Sequence, residues 1–300
     1  MHETRQVFLV DAFTDEPLTG NPAGVVPDAD DLESEQMQAI ASELGASETV
    51  FLRSSTEADR QLRYFTPTNE VDLCGHATVA SHAWLAARDH IETGEHTFET
   101  NTGVLTAEIA DDGTVWMTQN QPEIRPVDVE YDAVADALGI DVAALKDVGA
   151  DLPLAVSSTG LPFLMVPVNF LEHVSDMAPK MGAIEELSRE VEAAGIYAFT
   201  FDALDADSTL HGRMFAPKEG VPEDPVTGTA SGAAGAYVRE YDAFDDLPEE
   251  MVFEQGHFVD RPGRVRVRVG AEIEVGGRAV TALDGSLVVP ESDEDDIIEA

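Results

Sequence analysis

Two eight-residue stretches carry the side chains best suited to chemistry. The first, Glu70-Val71-Asp72-Leu73-Cys74-Gly75-His76-Ala77, joins a thiol and an imidazole to carboxylates, and Glu223-Asp224-Pro225-Val226-Thr227-Gly228-Thr229-Ala230 reads as its copy 153 residues later. Each ends a run of β type and opens a stretch of small residues, so each sets backbone N–H groups at a helix start, where the peptide dipoles favour an anion. Two such starts facing each other would hold a carboxylate. Cys74 at a helix start invites a thiolate reading. Cofactor-free racemases use two thiols on opposite sides of the substrate, but the copy has Thr227 in the second thiol's place and the chain has no other cysteine. A two-thiol mechanism is therefore closed within one subunit, and Cys74 reads as a small buried residue. His76 could orient a substrate or share its proton, and Asp224 before Pro225 could do the same or cap the helix turn. The N–H groups around Gly75 and His76, and around Gly228 and Thr229, would meet a substrate carboxylate, unless these glycines serve only close packing.

A further acid, Glu48, stands at the mouth of a predicted strand, Thr49 to Leu52. Moving a proton between carbons needs one base that takes it and gives it back. A carboxyl brought toward neutrality by partial burial at the lip of an apolar strand suits that task. Other chemistries lose their basis: there is no G-x-G-x-x-G after a strand, no Walker A, no G-x-S-x-G and no H-E-x-x-H. His76 and His82, six apart, fall on different helix faces and make no chelating pair. The expectation is a site without metal or cofactor.

The elements that must position these residues also come in two sets. Phe65-x-Pro67 matches Phe215-x-Pro217 and Phe98-Glu99 matches Phe253-Glu254 at nearly the same offset, which indicates duplicated domains. In the first half a strand at Val7 to Thr14, an ordered loop at Asp15 to Pro27, a helix through Leu32 to Leu44 and strands at Thr49 to Leu52 and Leu62 to Thr66 lead to the first octapeptide. Three strands follow its helix. The second half repeats the order, closing with strands near Met251 to Glu254, Val265 to Val269 and Ala279 to Leu283. Gln119 to Asp128 reads as a linker. Both helices after the octapeptides are rich in Ala, Gly and Ser, so each can be enclosed on all sides. The expected fold is α+β: two similar half-domains, residues 1–118 and 129–290, each a curled, mostly antiparallel β-sheet around a central helix with an active cleft between them, and an acidic tail at 291–300.

In chain order, Asp11-Ala12-Phe13, Gly20-Asn21-Pro22, Ser47-Glu48-Thr49, Phe65-Thr66-Pro67, Cys74-Gly75-His76-Ala77-Thr78, Asp224-Pro225-Val226-Thr227-Gly228 and Gln255-Gly256 resemble the phenazine-biosynthesis PhzF-like family over nearly the whole length. The resemblance implies a diaminopimelate-epimerase-like fold, a cofactor-independent isomerase and often a homodimer. It also implies Glu48, His76 and Asp224 as catalytic residues and Asn21, Gly75, Gly228 and Thr229 as contacts to a small carboxylate-bearing substrate. Thr229 stands where the family usually has serine, which bears on substrate size more than on reaction type. An amino-acid racemase or epimerase, and a small-ligand or protein-binding module without turnover, stay open beside it.

Acidic residues outnumber basic ones 59 to 17, for a formal charge of −42, while 43% of residues are hydrophobic. Nucleic-acid and anionic-membrane partners are excluded by sign, and the apolar fraction is too high for disorder. One cysteine allows no internal disulfide, and no basic-then-apolar stretch precedes the first strand, so a cytoplasmic setting is expected. Only 3 of the 17 basic residues are lysine. Such a charged coat is tolerable when salt screens it within a few ångströms, as near about 1 M, so an extreme halophile's protein is expected, with an ordinary acidic mesophile protein as the alternative. In a KCl melting series the midpoint should rise with salt; equal or higher stability in dilute buffer would remove this reading.

Overall fold

The computed structural model describes residues 4–146, 148 and 151–290, so the acidic tail lies outside the described residues. The first elements are β1 (Thr4–Ala12), β2 (Asn21–Val26), α1 (Ser34–Leu44), β3 (Glu48–Arg53), β4 (Arg60–Phe65), β5 (Glu70–Val71), α2 (Gly75–Ala87), β6 (Gly94–Thr100) and β7 (Gly103–Ile109). Next come β8 (Val115–Thr118), β9 (Glu123–Pro126), α3 (Tyr131–Leu138), β10 (Ala155–Ser158), β11 (Pro162–Pro167), α4 (Leu171–Ser175), α5 (Met181–Glu190), β12 (Gly195–Thr200) and β13 (Leu210–Ala216). The last are β14 (Val221–Asp224), α6 (Gly228–Glu240), β15 (Glu250–Gln255), β16 (Gly263–Val269), β17 (Ile273–Gly277) and β18 (Ala279–Val288). They form two compact units, one of residues 4–18, 22–116 and 278–290, the other of residues 19–21 and 117–277.

In the first unit β2 pairs parallel with β3, β3 antiparallel with β4, β4 antiparallel with β5 and parallel with β6, and β6 antiparallel with β7. In the second unit β11, β12, β13, β14, β15 and β16 repeat this series in the same order and sense. The repeat seen as octapeptides is thus a repeat of pairing topology, and Thr49 opposite Phe65 corresponds to Ile196 opposite Phe215. β18 pairs antiparallel with β1 from Thr4↔Val288 to Ala12↔Ala279. The sequence had placed this strand in the second half; its backbone hydrogen bonds join it to the first, and β17 takes its place in the second by pairing with β16.

Each curled sheet wraps a central helix. Every residue of α2 from Ala77 to Leu85 is buried, as is every residue of α6 from Ala230 to Val238. Nine consecutive buried residues exceed two turns, so these helices have no solvent face, and their many Ala, Gly, Ser and Thr residues let strands close in around them. At Gly235 an added Cβ would lie 2.6 Å from Val267 Cγ1. Around the second unit's sheet, α3 and α5 lay an outer apolar layer on β11 and β12 through Leu138, Ile184, Leu164 and Ile196. Among the acids of the described residues only Asp11 and Glu254 are fully buried. The charge therefore coats the surface.

Two expected irregular segments are strands. Residues 21–26, read as loop, form β2, whose Val25 and Val26 are fully buried and carry the β-branched stems that pack on a pleated surface. Part of the expected linker is β9, hydrogen-bonded to β10 from Pro126↔Ala155 to Glu123↔Ser158.

The same ion pair anchors the octapeptide in each unit. Arg63 of β4 forks onto Glu70 with two hydrogen bonds of 2.8 Å, and Arg213 of β13 forks onto Glu223 likewise. Each guanidinium also covers a phenylalanine ring two residues on, Phe65 at 5.2 Å and Phe215 at 5.1 Å. Hydrogen bonding from Arg63 holds the Glu70 carboxyl below its ordinary range against the opposing effect of burial. Arg213 is buried and also donates to the Val174 and Met177 carbonyls. Arg213→Ala strands a carboxylate and two carbonyls, and should cost about 3–5 kcal/mol in denaturant melts. Arg63→Ala, at a wetter site, should cost about 1–2 kcal/mol. Losses below 1 kcal/mol for both would show that the forks do not hold the turns.

Candidate active site

Glu48 is the first residue of β3, opposite Ala23 of the parallel strand β2. Its neighbour Thr49 is fully buried against Gly24, where an added Cβ would approach Thr49 Oγ1 to 2.4 Å. Glycine at 24 therefore fixes the register that leaves Glu48 at the strand's open end. The Glu48 side chain keeps about a quarter of its surface, 23%. His76, the second residue of α2, brings Nε2 to 3.3 Å from Glu48 Oε2.

Two neighbours complete this cluster. Ser47 Oγ lies 3.2 Å from His76 Nε2, and Cys74 Sγ lies 3.4 Å from His76 Nδ1. An imidazole protonated on Nε2 donates to the carboxylate and presents Nδ1 as acceptor to the thiol, so one tautomer satisfies both sides. Cys74 is buried, as its sequence context predicted, but it touches the histidine. Ser47 was legible only as part of a motif, because no spacing rule reports that a residue one place before a strand mouth meets a helix start 29 positions later.

The start of α2 has no side-chain cap: Cys74 occupies the cap position in extended conformation and makes no side-chain hydrogen bond there. The first-turn N–H groups of a helix have no intrahelical acceptor, so this is a place for an anion. Close packing does not account for Gly75, since an added Cβ would meet nothing within 4 Å.

In the second unit, α6 begins after Thr227, which likewise makes no side-chain cap. Asp224 is not the helix cap: one oxygen accepts from Asn21 Nδ2 at 2.9 Å and the other from the Thr227 hydroxyl. Asn21 Nδ2 also donates to the Val226 carbonyl at 2.8 Å, and the buried Asn21 Oδ1 has no hydrogen-bond partner. Asn21 thus orients Asp224 from below and retains one open acceptor. Gln255, given no role by the sequence, locks the turn: Oε1 accepts from Thr227 N at 3.2 Å and Nε2 donates to the Asp224 carbonyl at 2.7 Å. Gly256 beside it has φ +87°, and a Cβ there would lie 2.1 Å from the Arg261 carbonyl oxygen, so only glycine fits. Gly228 opens α6, and Thr229 follows, partly buried, with its carbonyl accepting from Thr159 Oγ1 at 3.3 Å.

The two turns are alike in backbone but not in chemistry. The register that equates Thr49 with Ile196 equates Glu48 with Gly195, and Cys74 with Thr227 at the cap. One acid has no counterpart in the repeat.

This duplicated α+β architecture, with a helix enclosed in each curled sheet, is the diaminopimelate-epimerase-like fold. A hydroxyproline epimerase structure from Agrobacterium vitis superposes with a TM-score of 0.61, covering 95% of this chain and 91% of its own, at 12% identity, which shows the fold alone. The sequence profile of the phenazine biosynthesis-like protein family matches residues 10–285, and the chain belongs to that family. It is 39% identical over 292 residues to the uncharacterized isomerase YfhB of Bacillus subtilis, covering 96% of this chain and 97% of that one. It is 36% identical to the crystal structure of a Bacillus anthracis phenazine biosynthesis protein of the PhzF family, with a TM-score of 0.88 and coverage of 96% and 100%. No helix among the described residues is long and apolar enough to cross a membrane.

Gly75→Ala separates packing from binding. With open space for the methyl group, the variant should melt as the parent does or gain up to about 1 kcal/mol from alanine's helix preference, while its affinity for a small carboxylate that protects the parent from melting falls. A variant that is destabilised and binds as before would return Gly75 to a packing role.

Proposed function

We propose that this isomerase moves a proton on a small carboxylate-bearing substrate, with Glu48 as the group that takes the proton and returns it. The single observation that carries the reading is the contact of Glu48 with His76 at an uncapped helix start, in a repeat whose second copy has no acid at the equivalent position. A base that must both accept and donate needs a fixed position and access to the reacting carbon. The register of β3 supplies the first and the partial exposure of the side chain the second. His76 donates to the carboxylate and steadies it, and the N–H groups at Gly75 and His76 are assigned to the substrate's anion. Asp224, set by Asn21 and Thr227, is assigned to substrate contact, as are Gly228 and Thr229. The chemistry asked of these groups is acid/base transfer, for which no cofactor is needed. Relatives from Bacillus subtilis and Clostridium acetobutylicum, 39% and 35% identical, are named isomerases, which supports the reaction class.

The test is solvent exchange. The protein in strong salt and D2O is incubated with a mixture of small carboxylic acids from cell extract and followed by mass spectrometry. At least one acid should gain deuterium or change to an isomer, and Glu48→Gln should slow this by a factor of about 10²–10⁴. Equal exchange in the variant would refute the assignment, and ligands that stabilise the fold yet return unaltered would indicate a binding module.

A further inference from the structure

We propose that Cys74, His76 and Glu48 form a three-donor site for Zn2+ or another soft divalent cation, with the fourth coordination position open. Their ligand atoms all lie within 4.8 Å of one another. Tetrahedral zinc with bonds of about 2.3 Å to sulfur and 2.0–2.1 Å to nitrogen or oxygen has S···N edges of about 3.5 Å and N···O edges of about 3.4 Å. Here His76 Nε2 is 3.3 Å from Glu48 Oε2 and 3.9 Å from Cys74 Sγ. The first edge already fits; for the second, Cys74 Sγ, now nearer His76 Nδ1 at 3.4 Å, has to turn about its Cα–Cβ bond toward Nε2.

The donor set matches the ion. A thiolate selects soft or borderline metals over Mg2+ and Ca2+, imidazole suits zinc, and one carboxylate completes a neutral site for a divalent charge. Three protein donors with a vacant fourth position leave room for water or a ligand. Ser47 Oγ, 3.2 Å from His76 Nε2, stands ready to hydrogen-bond such a water. Binding releases one proton: as the S–metal and Nε2–metal bonds form, the Cys74 thiol proton passes to His76 Nδ1 and the Nε2 proton goes to solvent, with no change of oxidation state.

Among the described residues the other clustered donors, His211, Glu254 and His257, fit less well. Glu254 already accepts from Leu204 N at 2.9 Å, Asp205 N at 2.7 Å and His211 Nδ1 at 3.1 Å. A metal there would have to break a buried set of bonds, whereas at Glu48 the contacts of His76 with Glu48 and Cys74 are between prospective ligands, and Ser47 Oγ gives up its contact to Nε2.

The metal binding stands apart from the proton-transfer reading. Inhibition rests on it: a metal that draws the Glu48 carboxylate into coordination withholds it from the substrate.

The probe is Cd2+, titrated into the full chain at neutral pH in concentrated sodium sulfate, a salt that keeps the fold screened without chloride competing for the metal. Cys74 is the chain's single cysteine, so a thiolate-to-cadmium charge-transfer band in the ultraviolet reports this site alone, whatever the 59 acids bind elsewhere. The band should saturate at one equivalent, vanish in Cys74→Ser, and require at least about tenfold more Cd2+ in His76→Ala and in Glu48→Gln. Zn2+ should displace it stoichiometrically. Absence of a band in the folded parent would overturn the proposal, as would half-saturation unchanged in both His76→Ala and Glu48→Gln, which would mean sulfur binds alone. Glu48→Gln, at a partly exposed strand end, serves if the other variants do not fold. A missing band with normal deuterium exchange sinks the metal site only, and a normal band with exchange indifferent to Glu48→Gln sinks the proton role only.

Discussion

The bidentate pairing of an arginine on one strand with the glutamate that opens each octapeptide is the constraint on which the rest depends. Each turn must leave a strand, reverse, and deliver a helix start whose N–H groups stay uncapped. An unpinned turn of that kind would fold its own side chains onto those groups. Arg63 and Arg213 prevent this by fixing the first residue of the turn to the preceding strand in two directions at once, since a planar guanidinium facing a carboxylate allows little rotation. Their phenylalanine partners hold the guanidinium plane from the other side. The turn's later residues then inherit their positions, His76 among them.

On that frame the two units have diverged in chemistry. The first gathers Ser47, Glu48, Cys74 and His76 from a strand mouth and a helix start. The second spends its polar side chains on holding a carboxylate in place, through Asn21, Thr227 and Gln255. A carboxylate that accepts from two fixed donors has its orientation set. Glu48, by contrast, touches His76 and keeps about a quarter of its side chain exposed.

Much of this was legible in the sequence. The octapeptides gave the duplication because a turn under this much backbone constraint tolerates few residue types. The small-residue helices gave the enclosed cores because periodicity disappears when every face is buried. Glu48 and His76 were found as separate residues, but their contact was not, since parallel pairing of β2 with β3 sets it and long-range register leaves no trace in local pattern. The pairing of β18 with β1 was missed for the same reason: sequence adjacency to β17 argued for one unit and hydrogen bonds chose the other. Residues 21–26 were misread because Gly, Asn and Pro at the strand's start outweighed Val25 and Val26 at its end. Gln255 stood inside a quoted motif, yet its hydrogen bonds to the Thr227 turn depend on the fold of Gly256.

Gly195 occupies the place that Glu48 holds in the other copy, and a Cβ there would sit 2.2 Å from the Phe215 carbonyl oxygen. Any side chain, acidic or not, is shut out by the neighbouring backbone. On the proposed reading a lone shuttle removes hydrogen from one face of a planar intermediate and redelivers it to that same face. Suprafacial migration follows from that reading, and an acid in Glu48's register in the second copy would demand rebuilding a strand, not replacing a residue.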